Sequence, residues 1–96
     1  MELAPPSPVV HAPQRLDALT AMAFKRAARE LLMKGSSEVV LDLSSLSAID
    51  ASGMAAVLSL SRSARAAGGR VITRGGSPEI KSAFTLTGLD SLVAES

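Results

Sequence analysis

The stretch that decides the fold runs from Val39 to Met54 and reads VVLDLSSLSAIDASGM. It opens inside a strand predicted over 38–43, which is almost continuously apolar, as is typical of a strand covered on both faces. A serine-rich connection leads to Asp50, and the residues from 52 to 67 are rich in helix formers and contain no proline. A buried strand followed by a helix is the repeating unit of an α/β domain with a mostly parallel sheet.

The segment before this stretch continues the alternation of strand and helix. A short strand is predicted around residues 9–10, and the prolines on both sides of it favour a position at the edge of a sheet. Asp17 or Thr20 can serve as the N-cap of a first helix that runs to Lys34. The helix is predicted from one apolar stripe with helical spacing, formed by Phe24, Ala27, Ala28, Leu31 and Leu32.

The segment after the stretch adds a strand over 70–73 and a third helix. Ser77 is the expected N-cap of that helix, with Pro78 at its first position. A final short strand is expected from Leu89, Leu92 and Val93. These elements predict an α/β fold: a small, mostly parallel sheet of about four strands, flanked by three to four helices.

Length and composition indicate one domain with an aliphatic core. A chain of 96 residues is too short for two domains. We expect residues 1–8, which are rich in proline, to form an extended segment and residues 9–96 to form the single domain. Because the chain is 47% hydrophobic but only 2% aromatic, its core must consist of aliphatic side chains.

The amino-acid composition argues against several classes of function. Ten basic against nine acidic residues, with no Trp or Tyr, give neither a strongly basic surface nor stacking platforms, so nucleic-acid binding is not expected. With no cysteine and with His11 as the one histidine, we predict no enzyme activity, no metal site and no cofactor. No apolar run approaches the roughly 20 residues of a membrane span, and no signal peptide is recognisable, so a cytoplasmic protein without membrane insertion is expected.

The deciding stretch resembles the signature of STAS domains, the family that includes anti-sigma factor antagonists. The family pattern is an apolar strand ending in Asp-Leu, a short loop, an apolar residue, and Asp-Ser-Ser-Gly-Leu at the start of a helix. This chain has Asp42-Leu43, then Ile49, and then Asp50-Ala51-Ser52-Gly53-Met54 at the positions of that pentapeptide. Further matching segments are Arg15-Leu16-Asp17, Gly68-Gly69, Ser77-Pro78 and Phe84-Thr85-Leu86-Thr87-Gly88-Leu89.

The resemblance implies a small sheet of mixed strand direction and a regulatory, non-catalytic module that binds a protein. In the family, the surface at this loop docks on a serine kinase that doubles as an anti-sigma factor, and phosphorylation of the first Ser after the Asp reverses the binding. The resemblance assigns partner binding to Asp17, Asp50, Ala51, Ser52, Gly53, Met54 and Val57. Asp50 and Ser52 can also act simply as helix caps, and Gly53 can serve a close approach of backbones.

Two departures from the family pattern bear on function. Ala51 stands where the phosphoacceptor normally lies, and Ala cannot be phosphorylated. Ser52 is retained and is therefore the candidate phosphorylation site. The chain also has room for one short strand before the first helix, where typical members have two, so the sheet can have a bare edge that a partner or a second copy in a homodimer could cover.

Two questions stay open at the level of sequence. The chain could instead be the STAS subunit of a lipid-transport ATPase or of another non-sigma signalling complex, because the loop at Asp50 does not separate these roles. The helix that follows could also present an apolar patch to a partner, or its surface alanines could be there by chance. The patch would comprise Met54, Ala55, Ala56, Val57, Leu58 and Leu60.

Overall fold

The structure is a computed structural model that describes residues 7–89 and 94–95. The elements follow the predicted alternation. In chain order they are β1 Val9–His11, β2 Arg15–Leu16, α1 Ala21–Met33, β3 Glu38–Asp42, β4 Ala48–Ile49, α2 Ala51–Ala66, β5 Arg70–Arg74, α3 Pro78–Leu86 and β6 Ala94–Glu95.

The strands form a main sheet and a separate short ladder. The main sheet has four strands in the order β1-β3-β5-β6, and β2 pairs with β4 beside it. All four pairings among the described strands are parallel, so the mixed strand direction implied by the family resemblance is not seen within residues 7–89 and 94–95. Each neighbouring pair in the main sheet is linked through a helix, and a helical crossover returns the chain for a parallel strand. The predicted α/β class, with four main strands and three helices, is confirmed.

A second short strand precedes α1, although the sequence predicted only one. Arg15 and Leu16 pair with Ala48 and Ile49, and the backbone N–H of Ser47 donates to the carbonyl oxygen of Gln14 at 2.8 Å. A strand of two residues is too short to show a period in the sequence, which is why the pattern missed both β2 and β4. This ladder brings the segment before α1 against the segment before α2.

The core consists mainly of aliphatic side chains from the sheet and its helices, with Phe24 and Phe84 packed among them. β3 is buried on both faces, as its continuous apolar run predicted. Phe24, Ala28 and Leu32 of the predicted α1 stripe are buried, whereas Ala27 is exposed. From α2 and α3 the core takes Val57, Leu60, Ala64, Ile80 and Phe84.

The packing of α1 against α2 positions the site. The strands are parallel, so the helices that return between them run alongside one another and begin at the same end of the molecule.

Ser77 caps α3 as predicted: its hydroxyl oxygen accepts a hydrogen bond from the N–H of Ile80 at 3.3 Å. Of the expected final strand, Leu89 is buried outside any strand, and Leu92 and Val93 lie outside the described residues; the last described strand is β6, Ala94–Glu95.

Candidate functional site

The start of α2 is an exposed turn held by Asp50. Asp50 is the N-cap, and its carboxylate accepts a hydrogen bond from the N–H of Gly53 at 3.0 Å. Its own N–H donates to the carbonyl oxygen of Leu16 in β2 at 3.2 Å. Asp50, Ala51 and Ser52 are all exposed. Of the two caps considered from sequence, Asp50 is therefore the one that forms, and the hydroxyl of Ser52 is left at the surface of a fixed helix start.

Asp17 plays the corresponding part before α1. One oxygen of its carboxylate accepts hydrogen bonds from the N–H of Leu19 at 2.9 Å and of Thr20 at 3.2 Å. Thr20 occupies the N-cap position but makes no side-chain cap; its hydroxyl donates to the carbonyl oxygen of Arg15 at 2.7 Å. Asp17 thus shapes the turn that leads into α1, and it remains half-buried rather than fully enclosed.

A groove of about 320 Å³ lies between the first turns of α1 and α2. It is lined by Ala18, Ala21, Met22, Lys25, Ser52, Ala55 and Ala56. The α1 side of this groove was missed by sequence reasoning. Met22 lies off the apolar stripe of α1 and is 65% exposed, so no periodic signal marks it. Only the packing of the two helices brings Met22 and Lys25 opposite Ser52.

Two residues predicted to touch a partner are buried. Val57 is fully enclosed in the core, and Gly53 lies beneath the loop against β2 and β4. Because both are enclosed, neither presents a side chain to a partner at this surface, and their predicted partner binding gains no support from the structure. Gly53 instead fills the role of a close backbone approach. Met54 is half-buried and stays within reach of the surface.

The predicted apolar patch on α2 is also wrong in its main member. Leu60 has an exposed fraction of 0%, and Ala56 is buried as well. The reason is that α2 packs against α1 on one side and against β5 beneath it, so it buries a wider face than a helix that covers a sheet alone. The homodimer prediction loses this support and rests only on the edge strand β1, which within residues 7–89 and 94–95 pairs with β3 alone.

A second groove, of about 330 Å³, lies on the other side of Ala55. It is lined by Met54, Ala55, Leu58, Arg62, Thr87 and Leu89. Ala55 is therefore a low ridge between two concave surfaces, with Lys25 in one and Arg62 in the other. The middle of α2 is exposed along this ridge and its two flanks.

Neither a metal site nor a membrane-spanning helix is present among the described residues. No group of three or more His, Asp or Glu side chains among them could hold a metal ion. His11 lies 3.5 Å from the carboxylate of Asp42 and is mostly exposed. In the same part of the chain, no helix has both the length and the apolar character needed to traverse a bilayer.

A known protein family matches nearly the whole of this chain. A family model described as "Mlab, STAS domain" matches residues 2–94. The chain belongs to the STAS domain family. The match includes the Asp50 turn, the groove beside it and the short β2–β4 ladder, so the family resemblance drawn from residues 39–54 is confirmed. No curated protein matches this STAS domain at a significant level.

Solved structures share the fold of this STAS domain. The crystal structure of TM1081 from Thermotoga maritima, a candidate anti-sigma factor antagonist, is 26% identical with a TM-score of 0.79, covering 91% of this chain and 77% of that one. The anti-sigma factor antagonist SpoIIAA in its unphosphorylated form is 23% identical with a TM-score of 0.78, covering 99% and 84%. Phosphorylated Bacillus SpoIIAA is 24% identical with a TM-score of 0.70, covering 92% and 80%. The chain thus resembles anti-sigma factor antagonists in fold.

Proposed function

We propose that this STAS domain is a non-catalytic regulatory module that binds a protein partner through the exposed start of α2. We define the docking face as Asp17, Asp50, Ala51, Ser52 and Met54. The observation that carries the proposal is the exposure of Ala51 and Ser52 on a helix start that is held by the Asp50 cap and by β2. Small side chains on a fixed turn let another protein approach closely, at little cost in ordering the surface.

The partner that fits best is a serine kinase that acts as an anti-sigma factor. The support is the resemblance in fold to TM1081 and SpoIIAA, which are described as anti-sigma factor antagonists. In the usual switch, a phosphate at this helix start is tolerated by the domain, because the helix N-terminus favours negative charge. The same phosphate is incompatible with an interface fitted to a small side chain. With Ala at position 51 the partner would stay bound unless another hydroxyl takes the phosphate.

Ser52 is the residue that could take over this switch. It is exposed and its side chain lines the α1–α2 groove. Incubation with the cognate kinase and ATP, read by intact mass, tests the idea. We expect one phosphate on the natural chain and on Ala51→Ser, and none on Ser52→Ala. An unmodified natural chain beside a modified Ala51→Ser variant would mean that the switch is lost in this protein while the kinase still recognises the docking face.

A second partner class is favoured by the family model itself. That model is described by the name Mlab, and a STAS subunit that supports a lipid-transport ATPase by binding alone would not depend on a phosphoacceptor at position 51. Under this reading the same docking face contacts the ATPase subunit, and phosphorylation plays no part. Binding to a transporter ATPase of the same genome, without binding to any serine kinase, would select it.

The decisive experiment measures binding of the purified chain to both partner classes by calorimetry. Ala51→Glu places a charged side chain in the middle of the docking face, and we expect it to weaken binding about a hundredfold or more. Ala66→Glu is the matched control, because Ala66 is an exposed alanine at the far end of α2, about 22 Å away at 1.5 Å per residue. If Ala51→Glu binds as tightly as the natural chain, or if neither class binds, the proposal is wrong.

A further inference from the structure

The charges of the two helices that form the groove differ from those of the rest of the chain. Across α1 and α2 there are five basic residues and a single acidic one, although the whole chain is nearly balanced. The arginines of the strands, by contrast, are paired with carboxylates: Arg70 with Glu38 at 2.8 Å and Arg74 with Asp42 at 3.2 Å. The net positive charge of the molecule is therefore concentrated on its helical layer.

The basic side chains near the groove have no acidic counterpart in the described part of the chain. No carboxylate lies within 4.0 Å of Lys25, Arg29 or Arg62 among residues 7–89. Lys25 lines the α1–α2 groove, and Arg29 follows it by one turn on the same flank of α1. Arg62 lines the second groove, across the Ala55 ridge. Cations without an acidic partner thus lie in both grooves, on either side of the Ala55 ridge.

The two carboxylates at the other end of the groove already accept hydrogen bonds from the backbone. Asp50 accepts from the N–H of Gly53, and Asp17 accepts from the N–H groups of the turn before α1. The surface is therefore polarised along the helices: capped carboxylates lie at the loop end and unpaired cations lie one to three turns further along. An occupant that follows the groove meets apolar walls first and positive charge afterwards.

We propose that the α1–α2 groove binds an amphipathic helix of the partner protein that carries acidic side chains. Its apolar side would pack between Met22 and Ala55, and its Asp or Glu residues would pair with Lys25 and Arg29 on the α1 side and with Arg62 across the Ala55 ridge. Helix-in-groove docking uses one apolar stripe, and complementary charge fixes its orientation. This inference rests on the proposed function and adds the chemistry of the segment that the partner presents.

The shape of the surface favours a helix over a membrane. Helices that lie on membranes project large apolar side chains, often aromatic, from a convex face. Here the apolar surface is concave, its walls are mainly alanine, and Met22 is the one large apolar side chain that lines the α1–α2 groove. Attraction of the cations to anionic lipid is the alternative explanation, and the vesicle experiment below distinguishes it from helix binding.

The test uses two synthetic helical peptides with the same Leu and Ala face, one with Glu and one with Lys at the polar positions. Each is titrated into the ¹⁵N-labelled chain. We expect the Glu peptide to shift the amide signals of Met22, Lys25, Ser52 and Ala55, and to bind at least roughly tenfold more tightly than the Lys peptide. Equal binding of the two peptides, or binding of neither, would overturn the inference.

Charge-reversal variants locate the effect on the groove. Lys25→Glu combined with Arg62→Glu should reverse the preference in favour of the Lys peptide. Lys34→Glu, which alters an exposed cation just beyond α1, should leave the preference unchanged. Sedimentation with phosphatidylglycerol–phosphatidylcholine vesicles completes the set: vesicle binding that is lost in the double variant, without preference between peptides, would assign the surface to lipid and refute the inference.

Failure of this inference is distinguishable from failure of the proposed function. If Ala51→Glu abolishes binding of a natural partner while the Lys25→Glu and Arg62→Glu double variant binds it normally, the docking face stands and the acidic helix is wrong. If the double variant binds the same partner roughly tenfold more weakly and Lys34→Glu does not, both the docking face and the acidic helix are supported.

Discussion

A side chain on Gly53 would collide with the backbone of Leu16. A Cβ atom at Gly53 would lie 2.3 Å from the carbonyl oxygen of Leu16, and 2.7 Å from a side-chain carbon of Ile49. The same carbonyl oxygen accepts the hydrogen bond from the N–H of Asp50. The first turn of α2 is thus fastened to the β2–β4 ladder at the place where the docking face begins.

Replacing Gly53 should damage the fold and not only the site. We expect Gly53→Ala to lower the free energy of unfolding by more than about 2 kcal/mol, because the obstacle is backbone that moves only if the β2–β4 ladder shifts. Urea denaturation measures the change. Ser52→Ala, one residue earlier and exposed, should stay within about 0.5 kcal/mol of the natural chain. Equal stability of Gly53→Ala and the natural chain would contradict the close approach.

Leu60 should behave as a core residue. Leu60→Ala removes a fully buried side chain and should cost about 2–5 kcal/mol. Leu60→Arg would bury a charge and should leave no folded protein, as judged by circular dichroism. Leu19→Ala is the control, because Leu19 is almost fully exposed and its loss should change stability little. A folded, stable Leu60→Arg variant would instead restore the surface patch.

Acid should destabilise the fold through the carboxylate of Asp42 at the end of β3. The pKa of Asp42 is lowered from 3.8 to about 2, chiefly because the hydroxyl and the N–H of Ser44 donate hydrogen bonds to its carboxylate, with Arg74 adding to the effect. Because the folded-state pKa is the lower one, this stabilisation is present above about pH 4 and is lost as the pH falls towards 2. Asp42→Asn should be less stable at neutral pH and should lose less stability across that acid range.

Two neighbouring serines allow the cause of the Asp42 shift to be tested. Ser44→Ala should raise the pKa of Asp42, because it removes the donor that contributes most. Ser45→Ala, at an exposed serine next to it, should leave the Asp42 titration as it is. A carbon-detected NMR titration of the carboxyl group measures both. An unchanged pKa in Ser44→Ala would shift the explanation to Arg74.

Asp17 should matter for stability through its oxygen atoms more than through its charge. Asp17→Ala removes the acceptor of the N–H groups of Leu19 and Thr20 and should cost about 1 kcal/mol. Asp17→Asn keeps an acceptor oxygen and should retain most of that stability. If Asp17→Asn unfolds as readily as Asp17→Ala in urea, the charge is the important property, acting on Arg15 at 3.9 Å.

Some of the site could be predicted because it depends on residues close together in the chain. The cap at Asp50 acts on Gly53, three positions later, and Ser77 acts on Ile80 in the same way. The STAS identity likewise follows from the short ordered pattern from Asp42 to Gly53. The surface patch at Leu60, which the structure contradicts, and the contact at Val57, which is buried, were both inferred from α2 alone.

The sequence by itself determined the alternation of strands and helices, the caps, the aliphatic core and the family, because hydrophobic periodicity and capping are local properties of a chain. Only the tertiary structure decided which side of α2 is buried, that β2 pairs with β4, and that Met22 and Lys25 face Ser52 across a groove. Burial depends on what packs against a side chain, and residues about thirty positions apart become neighbours only when the whole chain has folded.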